Sequence, residues 1–157
     1  MESEKIQILA YRPEFAPYFE RFNKAWLERW FHVEAVDAYV LENPEEAILN
    51  KGGHILFAEL DTRIIGTVAL KKEEEGVYEM TKMAVDEKYR GLSAGKLLCR
   101  AAIEKAREIQ AKRLYLYSNT ILANAIELYR QMGFREIPAE KNIYARSDIM
   151  MEYFFED

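Results

Sequence analysis

Little punctuates this chain, and little in it is oxidisable or strongly basic. Of its 157 residues only Cys99 is a cysteine, so no internal disulfide can form. The two histidines, His32 and His54, have no ligand spacing to each other or to Cys99, and no metal site is expected. Seven glycines and four prolines, with no low-complexity tract or repeat, leave no sign of a linker; a single domain over residues 1–157 is expected. No apolar run approaches the ~20 residues that span a bilayer. The opening Met1–Ala10 stretch lacks the apolar core of a signal peptide, so the expected setting is cytoplasmic and away from membranes. Lys plus Arg number 22 against 27 Asp plus Glu, a net charge of −5. That balance argues against nucleic acid as a partner, whose binding needs a basic face, and is mildly compatible with a cationic substrate.

What is present reads as a folded α/β (α+β) chain. Hydrophobic residues are 50% of the total and charged residues 31%. Ile6, Ile8 and Ala10 alternate with polar neighbours over 5–12, a strand pattern. Pro13 suits a helix start, and Phe15, Phe19, Phe22, Trp26 and Trp30 recur at helical spacing. That aromatic stripe is read as core, with Trp26 or Trp30 available to wall a pocket. Short helical pieces follow near 36–41 and from Pro44. Runs 54–60, 63–72 and 77–85 form a three-strand meander with turns at Asp61-Thr62 and 73–76. A helix over 94–110, a strand over 112–118, a helix over 122–132 capped by Gly133, and strands over 134–137 and 147–155 complete it. The strand–helix–strand order of the second half implies a parallel crossover within a central mixed sheet of about seven strands flanked by about four helices.

The segment between the third meander strand and the next helix carries the clearest chemistry. In Tyr89-Arg-Gly-Leu-Ser-Ala-Gly-Lys96 a glycine-containing loop enters a helix N-terminus. Unpaired main-chain N–H groups and the helix dipole make such a junction an anion site, and Arg90 and Lys96 add full charges. A phosphate is the expected guest. The spacing is not that of a nucleotide P-loop: Gly91 to Gly95 is one residue short, and Leu97 stands where a magnesium-binding hydroxyl belongs. A dinucleotide fingerprint would need a third glycine.

The 90–95 loop, followed by Asn124-Ala-Ile-Glu-Leu-Tyr-Arg-Gln-Met-Gly-Phe134, resembles the GNAT family of N-acetyltransferases. That family places Arg or Gln, two residues, Gly, one residue, and Gly or Ala at a strand–loop–helix junction. A later stretch carries Ala, Leu-Tyr and Gly-Phe at the spacing of Ala125, Leu128-Tyr129 and Gly133-Phe134. Two positions depart from the pattern. Ser93 replaces the first motif glycine, and Leu122 stands where the family often has asparagine, leaving Asn119 and Asn124 as neighbouring candidates for a cofactor contact.

The resemblance implies acetyl-CoA as cofactor, its diphosphate held by Arg90, Gly91, Leu92, Ser93, Ala94, Gly95 and Lys96. It also implies a pantetheine arm paired with the backbone of Met83, Ala84 and Val85 as an added strand. The implied reaction is direct attack of an amine, from a small molecule or peptide, on the thioester. Tyr129 is implied as the acid that protonates the departing thiolate, and Glu79 as the base, acting through water. Glu79 is expected to share one strand face with Thr81, Met83 and Val85. Trp30, His32, Tyr144 and Arg146 are expected to line the acceptor pocket. Cys99 is read as a small buried hydrophobe. The alternative reading is an acyl-CoA-binding regulatory or interaction module that has lost transfer. Strand edges near the C-terminus leave room for a homodimer.

Overall fold

Alternating apolar residues set the strands and 3.6-residue stripes set the helices in a computed structural model that describes residues 5–91, 93–139 and 144–155. The order is β1 (Ile6–Ala10), α1 (Ala16–Trp30), α2 (Ala35–Glu42), α3 (Pro44–Ala47), β2 (His54–Leu60), β3 (Arg63–Glu74), β4 (Val77–Val85), α4 (Ala94–Glu108), β5 (Arg113–Ser118), α5 (Ala123–Met132), β6 (Phe134–Ile137) and β7 (Ile149–Tyr153). The strands form one seven-stranded sheet ordered β1-β2-β3-β4-β5-β7-β6. Every neighbouring pair is antiparallel except β4–β5, which α4 joins by a parallel crossover. This is the mixed sheet expected. The described residues hold five α-helices, the short pieces expected near 36–41 and from Pro44 among them. The last strand is shorter than expected. β3 is longer, because Glu74 pairs directly with Val77 and the Gly76 φ of +80° lets two residues make the turn.

Two apolar clusters pack the two faces of the sheet. One joins Leu98, Cys99, Ala102 and Ala106 of α4 and Ile126 of α5 to Leu56, Val68, Leu70, Met80, Leu114 and Met151. The other joins Phe15, Phe19 and Phe22 near α1 and Val40 and Leu41 of α2 to Ile55, Phe57 and Ala69. Each fully buried side chain of this size contributes roughly 1.5–3 kcal/mol of transfer free energy. The aromatic stripe therefore divides. Phe15, Phe19 and Phe22 are core, whereas Trp26 is half-buried and Trp30 is 40% exposed at the helix end.

Two irregularities of β4 shape the candidate site. Thr67 pairs with Ala84 and Ala69 with Thr81, so Lys82 and Met83 together oppose Val68. This is a β-bulge, with Lys82 at φ 58°. The parallel ladder with β5 ends at Glu79–Tyr115, although β4 continues to Val85 and β5 to Ser118. The two central strands therefore part beyond Glu79 and open a cleft. The bulge also corrects an expectation: Glu79, Thr81, Met83 and Val85 do not share one face. Met83 and Val85 pack with the α4 cluster while Ala84 joins the α1 cluster, since one extra residue reverses the alternation.

Candidate active site

The cleft begins at Glu79, the last β4 residue paired with β5. Its side chain is almost wholly buried, and desolvation pushes its carboxyl up to about 7, against a smaller opposing pull from Lys82. Glu79 lines a cavity of about 80 Å³ whose other walls include Thr81, Lys82 and Met83 of β4 and Tyr117 of β5. Trp26 and Phe31 close it from α1 and the residue after it, and Tyr144 and Arg146 from the segment before β7. Tyr129 of α5 lines the same cavity, its ring edge-on to Phe134 with centroids 6.0 Å apart. Its hydroxyl has no hydrogen-bond partner among the described residues, and burial raises its pKa well above the ordinary phenol value. A protonated phenol and a carboxyl poised near neutrality thus share one small chamber.

A second cavity, of about 480 Å³, adjoins the first through shared walls at Trp26, Met83 and Leu122. It runs past Met83, Ala84 and Val85 to Arg90 and Gly91, with Trp30 and Asn124 on its rim. The third stretch of this groove, about 400 Å³, is lined by Val85, Arg90, Gly91, Ser93, Ala94 and Gly95. Ser93 is the N-cap of α4 at φ 67°, ψ 14°, and its hydroxyl caps nothing. Among the described residues no acceptor meets the N–H of Gly91, Ser93, Ala94 or Gly95. A Cβ built on Gly95 would come no closer to the protein than 4.0 Å, to Leu128, so internal packing does not require a glycine there. What the absent Cβ leaves is room for a ligand against the helix end.

The residues named from sequence are mostly brought together. Glu79, Tyr129, Tyr144 and Arg146 line the small chamber. Met83, Ala84, Val85, Arg90, Gly91, Ser93, Ala94, Gly95, Trp30 and Asn124 line the groove leading from it. Leu92 lies outside the described residues. Lys96 is exposed one residue past the groove. His32 is exposed and lines none of these cavities; the chain leaves α1 so that its neighbour Phe31 takes the wall position. Asn119 is committed within the protein, its Nδ2 donating to the Arg146 carbonyl at 2.5 Å and its Oδ1 accepting from the Ile121 N–H at 2.9 Å. It lines the small chamber beside Leu122 and is absent from the walls of the groove toward α4. Cys99 is buried, with its thiol pushed up to about 12 by desolvation, and is no nucleophile.

Sequence reasoning missed an ion cluster behind the chamber. Lys82 Nζ donates to Asp37 Oδ1 at 2.9 Å, and Arg146 donates to both Asp37 oxygens at 2.7 and 3.0 Å and to Glu34 Oε2 at 3.0 Å. Asp37 is fully buried; burial alone would raise its pKa, but the Arg146 hydrogen bonds and the Lys82 charge outweigh it and hold the carboxyl low. Lys82 Nζ and Arg146 Cζ each lie 4.7 Å from the Tyr144 ring centroid. The available signal was Lys82 itself, a cation inside an otherwise core-directed strand.

Residues 11–134 match the model of the acetyltransferase (GNAT) family. The chain belongs to that family. It is 30% identical over 125 residues to the N-acetylaspartate synthetase of Mus musculus, covering 78% of this chain and 40% of that protein. The chain thus spans about two fifths of that relative's length. A solved GNAT-family acetyltransferase from Staphylococcus aureus superposes with a TM-score of 0.83 at 26% identity, covering 94% of this chain and 98% of that one. The PaiA N-acetyltransferase of Thermoplasma acidophilum, solved in complex with coenzyme A, shares the fold with a TM-score of 0.74 at 18% identity over 96% and 99% of the two chains. GNAT enzymes use acetyl-CoA as co-substrate. The groove fits that group: open amides and a Cβ-free position stand at one end, an unpaired strand edge in the middle, and the Glu79–Tyr129 chamber at the other.

Proposed function

We propose that this protein is an acetyl-CoA-dependent N-acetyltransferase acting on a primary amine of a small molecule or peptide. The observation that carries the reading is the parting of β4 from β5 immediately beyond Glu79, which sets Glu79 and Tyr129 in one chamber at the end of a groove that starts at open helix amides.

In this reading the amides of Gly91, Ser93, Ala94 and Gly95 and the guanidinium of Arg90 hold a diphosphate. The β5-facing backbone of Met83, Ala84 and Val85 pairs an extended arm as an added strand. Acetyl-CoA supplies the acetyl group as a thioester. N–H groups along the parted stretch of β4 are the donors available to an oxygen that gains charge. Glu79, with its carboxyl at about 7, takes a proton from the incoming ammonium, directly or through one water. Tyr129 Oη, protonated at any physiological pH, returns a proton on the sulfur side of the cleft. Tyr144, Arg146 and Trp30 belong to the walls that the acceptor meets. Residues 1–157 act here as a single domain in a cytoplasmic setting, with the exposed β6 edge open to pairing between copies.

Release of free thiol from acetyl-CoA over a panel of primary amines tests the assignment. Amine-dependent release is the expected result. An acetyl-CoA complex that turns over none of the amines would favour a binding module over an enzyme.

A further inference from the structure

The charges around the acceptor chamber do not balance in the way a carboxylated acceptor needs. Among the described residues three charged side chains line it: Glu79, Lys82 and Arg146. Both cations are already matched, since Lys82 is held by Asp37 and Arg146 by Asp37 and Glu34, two cations against two carboxylates. Neither Asp37 nor Glu34 lines the chamber; they stand behind it and neutralise its cations from the α2 side. Glu79 makes no ion pair among the described residues; Tyr144 hydrogen-bonds its carboxyl and the Lys82 charge attracts it from a distance. Among the described residues an approaching ligand therefore meets one acid without an ion-pair partner, the side chains of Trp26, Phe31 and Tyr117, and no cation that lacks a carboxylate.

An α-amino acid would bring a carboxylate, attached to the amine-bearing carbon, into this space. With the Arg146 and Lys82 charges spent, that carboxylate would be desolvated beside Glu79 without compensation, which is strongly unfavourable. An ammonium on a plain alkyl carbon suffers no such conflict. It gains from Glu79 and from the aromatic residues of the walls. We infer that the acceptor is a primary alkylamine whose amine-bearing carbon carries no carboxylate, rather than an amino acid. This rests on the N-acetyltransferase reading and narrows its substrate class.

The test compares matched acceptors in the thiol-release assay with the full chain and acetyl-CoA: 3-methylbutylamine, leucine and leucinamide, and 2-phenylethylamine, phenylalanine and phenylalaninamide. The amides keep the bulk of the carboxylate and remove its charge. The expected kcat/KM is at least about tenfold higher for each amine than for its amino acid, with each amide nearer the amine, because the penalty is one of charge. Glu34→Gln, which releases part of the Arg146 charge, should narrow that ratio. Equal or greater turnover of the amino acids would overturn the inference while leaving the transferase reading intact. Should no acceptor turn over, calorimetric titration into the CoA-bound protein decides. Binding of the amines but not the amino acids supports the acceptor class and removes the transferase reading; binding of neither removes both.

Discussion

Glu79 has almost no contact with water, and burial is what moves its carboxyl from the usual range to about 7. A base must be ionised to work, so kcat/KM should rise with pH through about 7 in the wild type. In Glu79→Gln it should be low and lack that inflection. The linked stability effect has the opposite sense. The folded state holds this proton more tightly than the unfolded chain, so the group costs stability increasingly as pH rises from 4.5 through about 7. Glu79→Gln should accordingly gain most in thermal midpoint above pH 7 and little near pH 5. Tyr129→Phe removes the only phenol that has been assigned an acid role, and should lower kcat by about 10²-fold or more without weakening CoA binding measured by calorimetry. Ser93 holds a left-handed φ at the position where the family carries glycine. Ser93→Gly should therefore stabilise the protein by about 1 kcal/mol in denaturant titrations. The loop glycines and Tyr129 were legible in the sequence because motif spacing fixes them. His32 was not, because a side chain one residue past a helix end takes its direction from the exit of the chain.

At the scale of elements, the bulge in β4 and the N-terminal turn of α2 form one unit. Asp37 reaches across to Lys82 on the bulge and to Arg146 before β7, so it ties α2 to both walls of the chamber. Replacing it with Ala would leave the buried Lys82 without its carboxylate and the part-buried Arg146 with Glu34 alone. Asp37→Ala should cost about 3–5 kcal/mol in urea unfolding, far more than loss of an exposed pair such as Lys72–Glu75. With its carboxyl held below the ordinary 3.8, Asp37 contributes fully above that value, and the contribution fades as pH falls through the lower folded value. The strands, the crossover helix and the Gly133 cap followed from alternation and turn chemistry in the sequence. The bulge did not. Val77–Val85 reads as one continuous strand whose alternation falters only at Lys82, and the register against β3 is what reveals that Lys82 and Met83 share one partner position. That slip of one residue is why the expected face of Glu79, Thr81, Met83 and Val85 came apart. It is also why Asp37 and Lys82, 45 residues apart in the chain, escaped notice as a pair.

For the molecule as a whole, two packed clusters hold a sheet whose central strands are paired at one end and parted at the other. The groove continues from the chamber to the open amides of α4 without leaving the β4 edge. A crystal structure of the protein with bound CoA tests this arrangement most directly. The account predicts the diphosphate against the amides of residues 93–95, the arm paired along Met83–Val85 and the sulfur between β4 and α5 beside Tyr129. A diphosphate seated elsewhere, or a sulfur on the far side of α5 from Glu79, would contradict it.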